Sequence, residues 1–395
     1  MSGPLEGLRV IDAASLFAGP VIASLLGDFG ADVIKVEHPT GDALRKTGYM
    51  KDGVPLWWKV VGRNKRCITL DLKQGGDIFK RLVAGADVLV ENFRPGTLEK
   101  WGLGWDVLSA LNPRLVMVRV TGFGQTGPYR KKPGFGTLAE AMSGFAHITG
   151  MPDGPPTLPP FGLADGIAAH YGTFAVMFAL YERDAKRSGK GQFIDLSLYE
   201  PIFALLGYQP TLFDQLGIIQ NRTGNRSINN APRNSYRTKE GRWVALSASA
   251  PSIVERVLTL TGGANVAADP RFRTARGRVE HVEEIDAIVG GWIARHTLQE
   301  VLQAFEEYEG AIAPVYDIGQ IFADPQFIAR HDIVEVPDEE LGRVKLQNAF
   351  PFMSRTPGEV RHAGPRLGAH NDEILGGDLG LDEAEIAELR RKGII

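Results

Sequence analysis

Asp165 has the setting in this sequence that best suits covalent chemistry. It stands in Phe161-Gly-Leu-Ala-Asp-Gly166, just ahead of a long, mostly apolar stretch with helical character that runs to about Arg183. A carboxylate there can simply cap the helix by accepting backbone N–H bonds. The same place also lies in the positive field of a helix N-terminus, which keeps a carboxylate ionised and able to attack an acyl carbon. The local sequence suits both roles. Other chemistries find less support. Cys67 is the only cysteine, so neither an intrachain disulfide nor a Cys-cluster metal site can form. The chain has no G-x-x-x-x-G-K-[ST], H-E-x-x-H or G-x-S-x-G pattern, and its eight histidines are scattered. Gly122-Phe-Gly-Gln-Thr-Gly127 fits G-x-G-x-x-G after a strand. The next residues, Pro128-Tyr-Arg-Lys-Lys-Pro133, cannot open a helix toward a pyrophosphate, which argues against a dinucleotide site.

The elements that must position Asp165 read as alternating strands and helices. Short β-branched runs at 8–12, 32–36, 67–71, 87–91 and 115–120 are strand candidates. Between the first two, Val21, Ile22, Leu25, Leu26 and Phe29 recur at helical spacing, and Gly30 stands where a helix would stop. A further strand is expected at 193–197, after the turn Ser188-Gly-Lys-Gly191. This alternation predicts an α/β protein with a parallel sheet covered on both faces and ligands beyond the carboxyl ends of its strands. Residues 218–241 are polar and turn-rich and read as a linker into a smaller unit, with a strand at 243–247 and helices near 251–262, 281–296 and 298–309.

Composition narrows the class. The 395 residues suffice for two or three structural units. Hydrophobic residues at 44% and charged residues at 23% are those of a globular chain. The 47 glycines lack a triplet period and indicate many tight turns. A net charge of −3 disfavours nucleic-acid binding, although residues 1–135 carry +6 and the remainder −9, so the N-terminal third suits a small polyanion as well as it suits solvated surface cations. The opening MSGPLEGLRV has no secretory pattern, and no apolar run approaches the roughly 20 residues that span a bilayer. A cytosolic protein with no membrane partner is expected.

An ordered set of short segments resembles the family III CoA-transferases, also called the CaiB/BaiF family. They are Gly7-Leu-Arg-Val-Ile11, Ala18-Gly-Pro20, Gly30-Ala-Asp-Val-Ile-Lys-Val-Glu37 with Gly41-Asp42, Asn64-Lys-Arg66 with Leu70-Asp-Leu-Lys73, and Glu91-Asn-Phe-Arg-Pro-Gly96. Thr121-Gly-Phe-Gly-Gln-Thr-Gly-Pro128, Asp165, Gly189-Lys-Gly-Gln192 and Gly364-Pro-Arg-Leu-Gly368 follow, across nearly the whole chain.

The resemblance implies a Rossmann-like, CoA-binding large domain formed by 1–205 and 330–395, a linker at 206–225, a smaller α/β domain at 226–329, and an interlocked homodimer. It implies CoA transfer from an acyl-CoA to a free carboxylic acid, with Asp165 as the covalent nucleophile. CoA is then a substrate, and no tightly bound cofactor is expected. Family cofactor-contact positions fall on Leu70, Asp71, Leu72, Lys73, Asn92, Phe93 and Arg94. Lys100 replaces a common arginine and meets a phosphate as a point charge. Phe17, Ala18, His38 and Phe135 complete the implied set, His38 standing where some members carry arginine.

Departures from related activities sharpen the expectation. Phe135 occupies the position of the racemase histidine and cannot move a proton, and Arg237 replaces a racemase acid. Phe17 stands where formyl-CoA transferases carry glutamine, and Ser227-Ile-Asn-Asn-Ala-Pro-Arg-Asn-Ser235 replaces their glycine-rich loop. Phe17 and Phe135 suit a less polar acyl pocket or ordinary core packing, and Arg233 or Arg237 suits an acid on the substrate or plain solvation. The alternatives left open are an acyl-CoA racemase or isomerase of the same family, and a non-catalytic CoA-binding protein.

Overall fold

The computed structural model describes residues 3–395. Six parallel strands form the main sheet: β1 (Arg9–Asp12), β2 (Asp32–Glu37), β3 (Lys65–Thr69), β4 (Val88–Glu91), β5 (Val116–Thr121) and β6 (Phe193–Ser197). Their spatial order is β3-β2-β1-β4-β5-β6, the doubly wound arrangement in which the chain starts in the middle and works outward on each side. Helix α1 (Ala18–Asp28) joins β1 to β2, and α2 (Gly76–Ala84) joins β3 to β4. No helix begins directly after the Gly122–Gly127 segment; the next is α3 (Gly136–Met142), and after a short helical turn at Phe145–Ile148 comes the long helix α4 (Leu163–Leu180).

Burial on both faces explains why the strands read as continuous apolar runs. Val10, Val33, Val88, Val90, Val116 and Val118 face one core with Ile22 of α1 and Ala164, Ala168 and Val176 of α4. Their neighbours Ile11, Ile34, Leu89 and Met117 face a second core with Phe79 and Leu82 of α2. Ile374 and Ile394 join this second core, and the Ile394 carbonyl accepts a 2.7 Å hydrogen bond from Asp71 N–H, so the last part of the chain returns to the sheet.

Counted with the turn that extends it, α4 covers Leu163–Ala185, 23 residues, and by length and composition alone is long enough to cross a membrane. This corrects the expectation that no stretch approaches that length. One face of α4 is buried in the core beneath the sheet, as in a core helix of a globular fold.

The described chain forms two compact units. The first runs to Phe145 and takes in Leu158–Gly207 and Gln326–Ile395; the second is Ala146–Thr157 with Tyr208–Pro325. The sequence reading left 146–157 in the first unit, since nothing in its composition marks the excursion. The second unit has an antiparallel sheet of β7 (Arg233–Arg237), β8 (Trp243–Ser247) and β9 (Ile312–Pro314), with β8 in the middle. Its core joins Val244 and Leu246 to Val254, Val289, Val301 and Phe305.

Candidate active site

Asp165 is the third residue of α4, inside its first turn. Gly162 is the N-cap, and no side chain caps the helix at that position. The capping role is instead met from outside. Glu140 on α3 is only 2% exposed, and its Oε1 accepts a 3.1 Å hydrogen bond from Ala164 N–H. Two carboxylates therefore converge on the start of one helix. The Asp165 carboxyl is pushed up to about 6, mainly by burial and next by the adjacent Glu140 charge, against a hydrogen bond from its own backbone N–H. Burial and the Glu140 charge thus outweigh the lowering that a helix N-terminus favours. At neutral pH the carboxylate still predominates, and its raised pKa makes it a better nucleophile than an ordinary solvated aspartate.

Gly136 makes room for it. A Cβ built on Gly136 would lie 1.9 Å from Asp165 Oδ2, so glycine lets α3 pass beside the carboxylate in the position it holds. The carboxylate opens into a cavity of about 200 Å³, whose wall includes Phe17, Ala18, Asn92, Arg94 and Phe135. Phe135 is 61% exposed, and with Phe17 it supplies an apolar surface.

A neighbouring cavity of about 300 Å³ is walled by His38, Leu70, Asp71, Leu72 and Trp101, and shares Ser15 and Phe93 with the first. Among the sequence-predicted residues, Lys73 and Lys100 line neither cavity and are exposed. The Asn92 side chain grips the Ser15 backbone twice, accepting from its N–H at 2.8 Å and donating to its carbonyl at 2.7 Å, so it shapes the wall between the cavities. His38 Nδ1 lies 2.8 Å from the Thr40 hydroxyl.

The loop from Ala13 to Phe17 that borders both cavities rests on buried charge. Leu16 takes a left-handed φ of 64°, and its N–H donates to Asp42 Oδ1 at 3.1 Å. Asp42 lies 3.4 Å from Lys35, which lies 3.6 Å from Asp12, and Asp12 also accepts from Lys65 at 2.8 Å. Burial alone would lower the Lys35 pKa, but Asp12, Asp42 and Glu37 outweigh it and leave it raised. The ion cluster thus fixes a strained loop at the mouth of the site.

Sequence reasoning missed Glu140, Gly136, Trp101, Arg130 and Lys132. Glu140 and Gly136 reach Asp165 only through the packing of α3 on α4, which has no local sequence signal. The basic run between Pro128 and Pro133 was a signal for the last two.

A partly buried aspartate at the start of a helix thus stands beside two cavities that share wall residues at the carboxyl ends of a parallel sheet. Residues 5–371 match the model of CoA-transferase family III. The chain is 44% identical over 396 residues to succinyl-CoA–D-citramalate CoA-transferase of Chloroflexus aurantiacus, covering 99% of this chain and 98% of that one. It is 36% identical to succinate–glutarate CoA-transferase of Agrobacterium fabrum, covering 94% and 95% respectively. The crystal structure of a CaiB/BaiF family protein from Brucella suis superposes with a TM-score of 0.84 at 32% identity, over 95% of this chain and 99% of that chain. The protein belongs to CoA-transferase family III and is a CoA-transferase.

Proposed function

We propose that this enzyme moves CoA from an acyl-CoA donor to a free carboxylic acid through covalent intermediates on Asp165. The observation that carries the proposal is the Asp165 carboxylate itself, its pKa raised to about 6 and its Oδ2 facing Gly136 in a cavity of about 200 Å³. Asp165 attacks the thioester carbonyl and expels CoA thiolate, leaving an acyl-aspartyl anhydride. The thiolate attacks the aspartyl carbonyl, which frees the donor acid and leaves an aspartyl-CoA thioester. The acceptor carboxylate attacks that thioester, again expelling thiolate, and the thiolate attacks the acceptor's acyl carbon to give the new acyl-CoA and restore Asp165. Each step exchanges one acyl bond for another of similar energy, so a difficult direct exchange becomes a series of easier ones.

The shared boundary of the two cavities supports a division of labour. Leu70, Asp71, Leu72, His38 and Phe93 line the side assigned to CoA, with Lys73 and Lys100 near enough in sequence to offer phosphate contacts; Phe17, Ala18, Asn92, Arg94 and Phe135 border the acyl side. Phe135 beside Asp165 offers no proton acceptor, which weighs against a racemase reading. We assign the working particle as an interlocked homodimer. The exposed apolar face of α4, with Phe174 at 54% and Phe178 at 73% exposure, supports self-association. The succinyl donor in the relatives' names makes succinyl-CoA the first donor to test.

One experiment reads all of this. The enzyme is incubated with an acyl-CoA, quenched with hydroxylamine, and examined by peptide mapping and native mass spectrometry. The modification is expected on the peptide containing Asp165, within a particle of two chains. Modification elsewhere, or an Asp165→Ala variant with undiminished exchange, would refute the covalent role.

A further inference from the structure

Besides Asp165, the wall of the acyl cavity holds three charged side chains, and all are cationic: Arg94, Arg130 and Lys132. Arg94 falls on a position that the family resemblance assigns to CoA. Arg130 and Lys132 are surplus to that assignment, and among the described residues neither is in an ion pair. Lys131, which lies between them, does not line the cavity.

These two cations sit on a closed loop. At its base Gly122 and Gly134 pass so closely that a Cβ on either would lie 2.5 Å from the other's Cα. Lys132 N–H donates to Tyr129 O at 2.8 Å, and the Lys132 ammonium lies 3.6 Å from the Tyr129 ring centroid. That contact does not neutralise the ammonium, which swings off Tyr129, a residue outside this cavity's wall, to meet a ligand within it. A cavity wall that carries Arg130 and Lys132 as well as Phe17 and Phe135 is a poor lining for a plain hydrocarbon acyl chain. It suits a short chain that ends in a second carboxylate, and it offsets the repulsion which Asp165 and the nearby Glu140 exert on an incoming anion. The cavity volume of about 200 Å³ lies below the roughly 300–1,000 Å³ typical of drug-sized ligands, which suits a short chain.

We propose that Arg130 and Lys132 bind the non-reacting carboxylate of the acyl group, making a short dicarboxylic acid the substrate class of this site. The proposal rests on the CoA-transfer reading above.

Self-exchange assays test it without knowledge of the natural acceptor. Labelled succinate is exchanged into succinyl-CoA, and labelled butyrate into butyryl-CoA, a donor of similar length without the second charge. Charge-assisted hydrogen bonds contribute about 1.5–3 kcal/mol, so the double variant R130Q/K132Q is expected to lose on the order of 10- to 100-fold in kcat/KM for succinyl-CoA. Butyryl-CoA exchange and the affinity for free CoA should stay within a few-fold of wild type, and R130K/K132R should recover most succinyl activity. Equal loss on both donors, weakened CoA binding, or a wild type that exchanges butyryl but not succinyl groups would overturn the assignment while leaving the transferase reading intact. A wild type that exchanges neither acid would instead overturn the transferase reading for short acyl groups, and this assignment with it.

Discussion

Replacing Asp165 by asparagine should abolish transfer and, less obviously, stabilise the fold in a pH-dependent way. The Asp165 carboxyl ionises at about 6 in the folded protein against an ordinary value of 3.8. A carboxyl whose folded pKa is raised binds its proton more tightly when folded, so its ionisation works against folding. The penalty is absent below about pH 4, where the group is protonated in both states, grows as the unfolded chain ionises first, and is complete above about pH 6. A shift of about two units corresponds to about 3 kcal/mol at about pH 7.5, falling to about 1 kcal/mol at about pH 4.5. Asparagine carries no such penalty. The stability gain of Asp165→Asn over wild type should therefore grow by about 2 kcal/mol between those two pH values, read from denaturant unfolding at fixed protein concentration. A difference that is flat with pH, or that shrinks as pH rises, would show that burial and Glu140 do not perturb Asp165 as described.

The same coupling should appear in catalysis. If ionised Asp165 attacks, the acid limb of the kcat/KM profile falls near pH 6, and Glu140→Gln, which keeps an acceptor oxygen for Ala164 N–H but removes the charge, should move that limb to lower pH. An unmoved limb would assign it to another group. Gly136→Ala brings a methyl to within 1.9 Å of Asp165 Oδ2 and should lower kcat on the order of 100-fold with little change in the unfolding midpoint. Wild-type turnover in this variant would mean that the carboxylate works from another rotamer.

The parallel sheet was legible because each central strand is buried on both faces, which forces β-branched runs such as Val88–Glu91 and Val116–Thr121 into view between polar turns. The α4 helix was equally plain from its apolar length, and Asp165 stood out at its start. The two roles left open for Asp165 could not be separated in sequence: Gly162 takes the N-cap geometry, which places Asp165 inside the first turn, and a sequence pattern does not distinguish these positions. The shift of its pKa was beyond reach for another reason. The added charge comes from Glu140, 25 residues away, and only the packing of α3 on α4 brings the two together. The excursion of 146–157 into the second unit is likewise a long-range choice with no local signature.

The hydrogen bond from Asp71 N–H to the Ile394 carbonyl bears on the order in which the site is built. The loop at 70–73 is synthesised early, yet one of its backbone bonds and part of the core beneath it come from residues that emerge after the whole second unit. The cavity assigned to CoA is thus among the last features of the fold to be completed during translation. A nascent chain can assemble most of its sheet while the place for its thioester substrate is still unfinished.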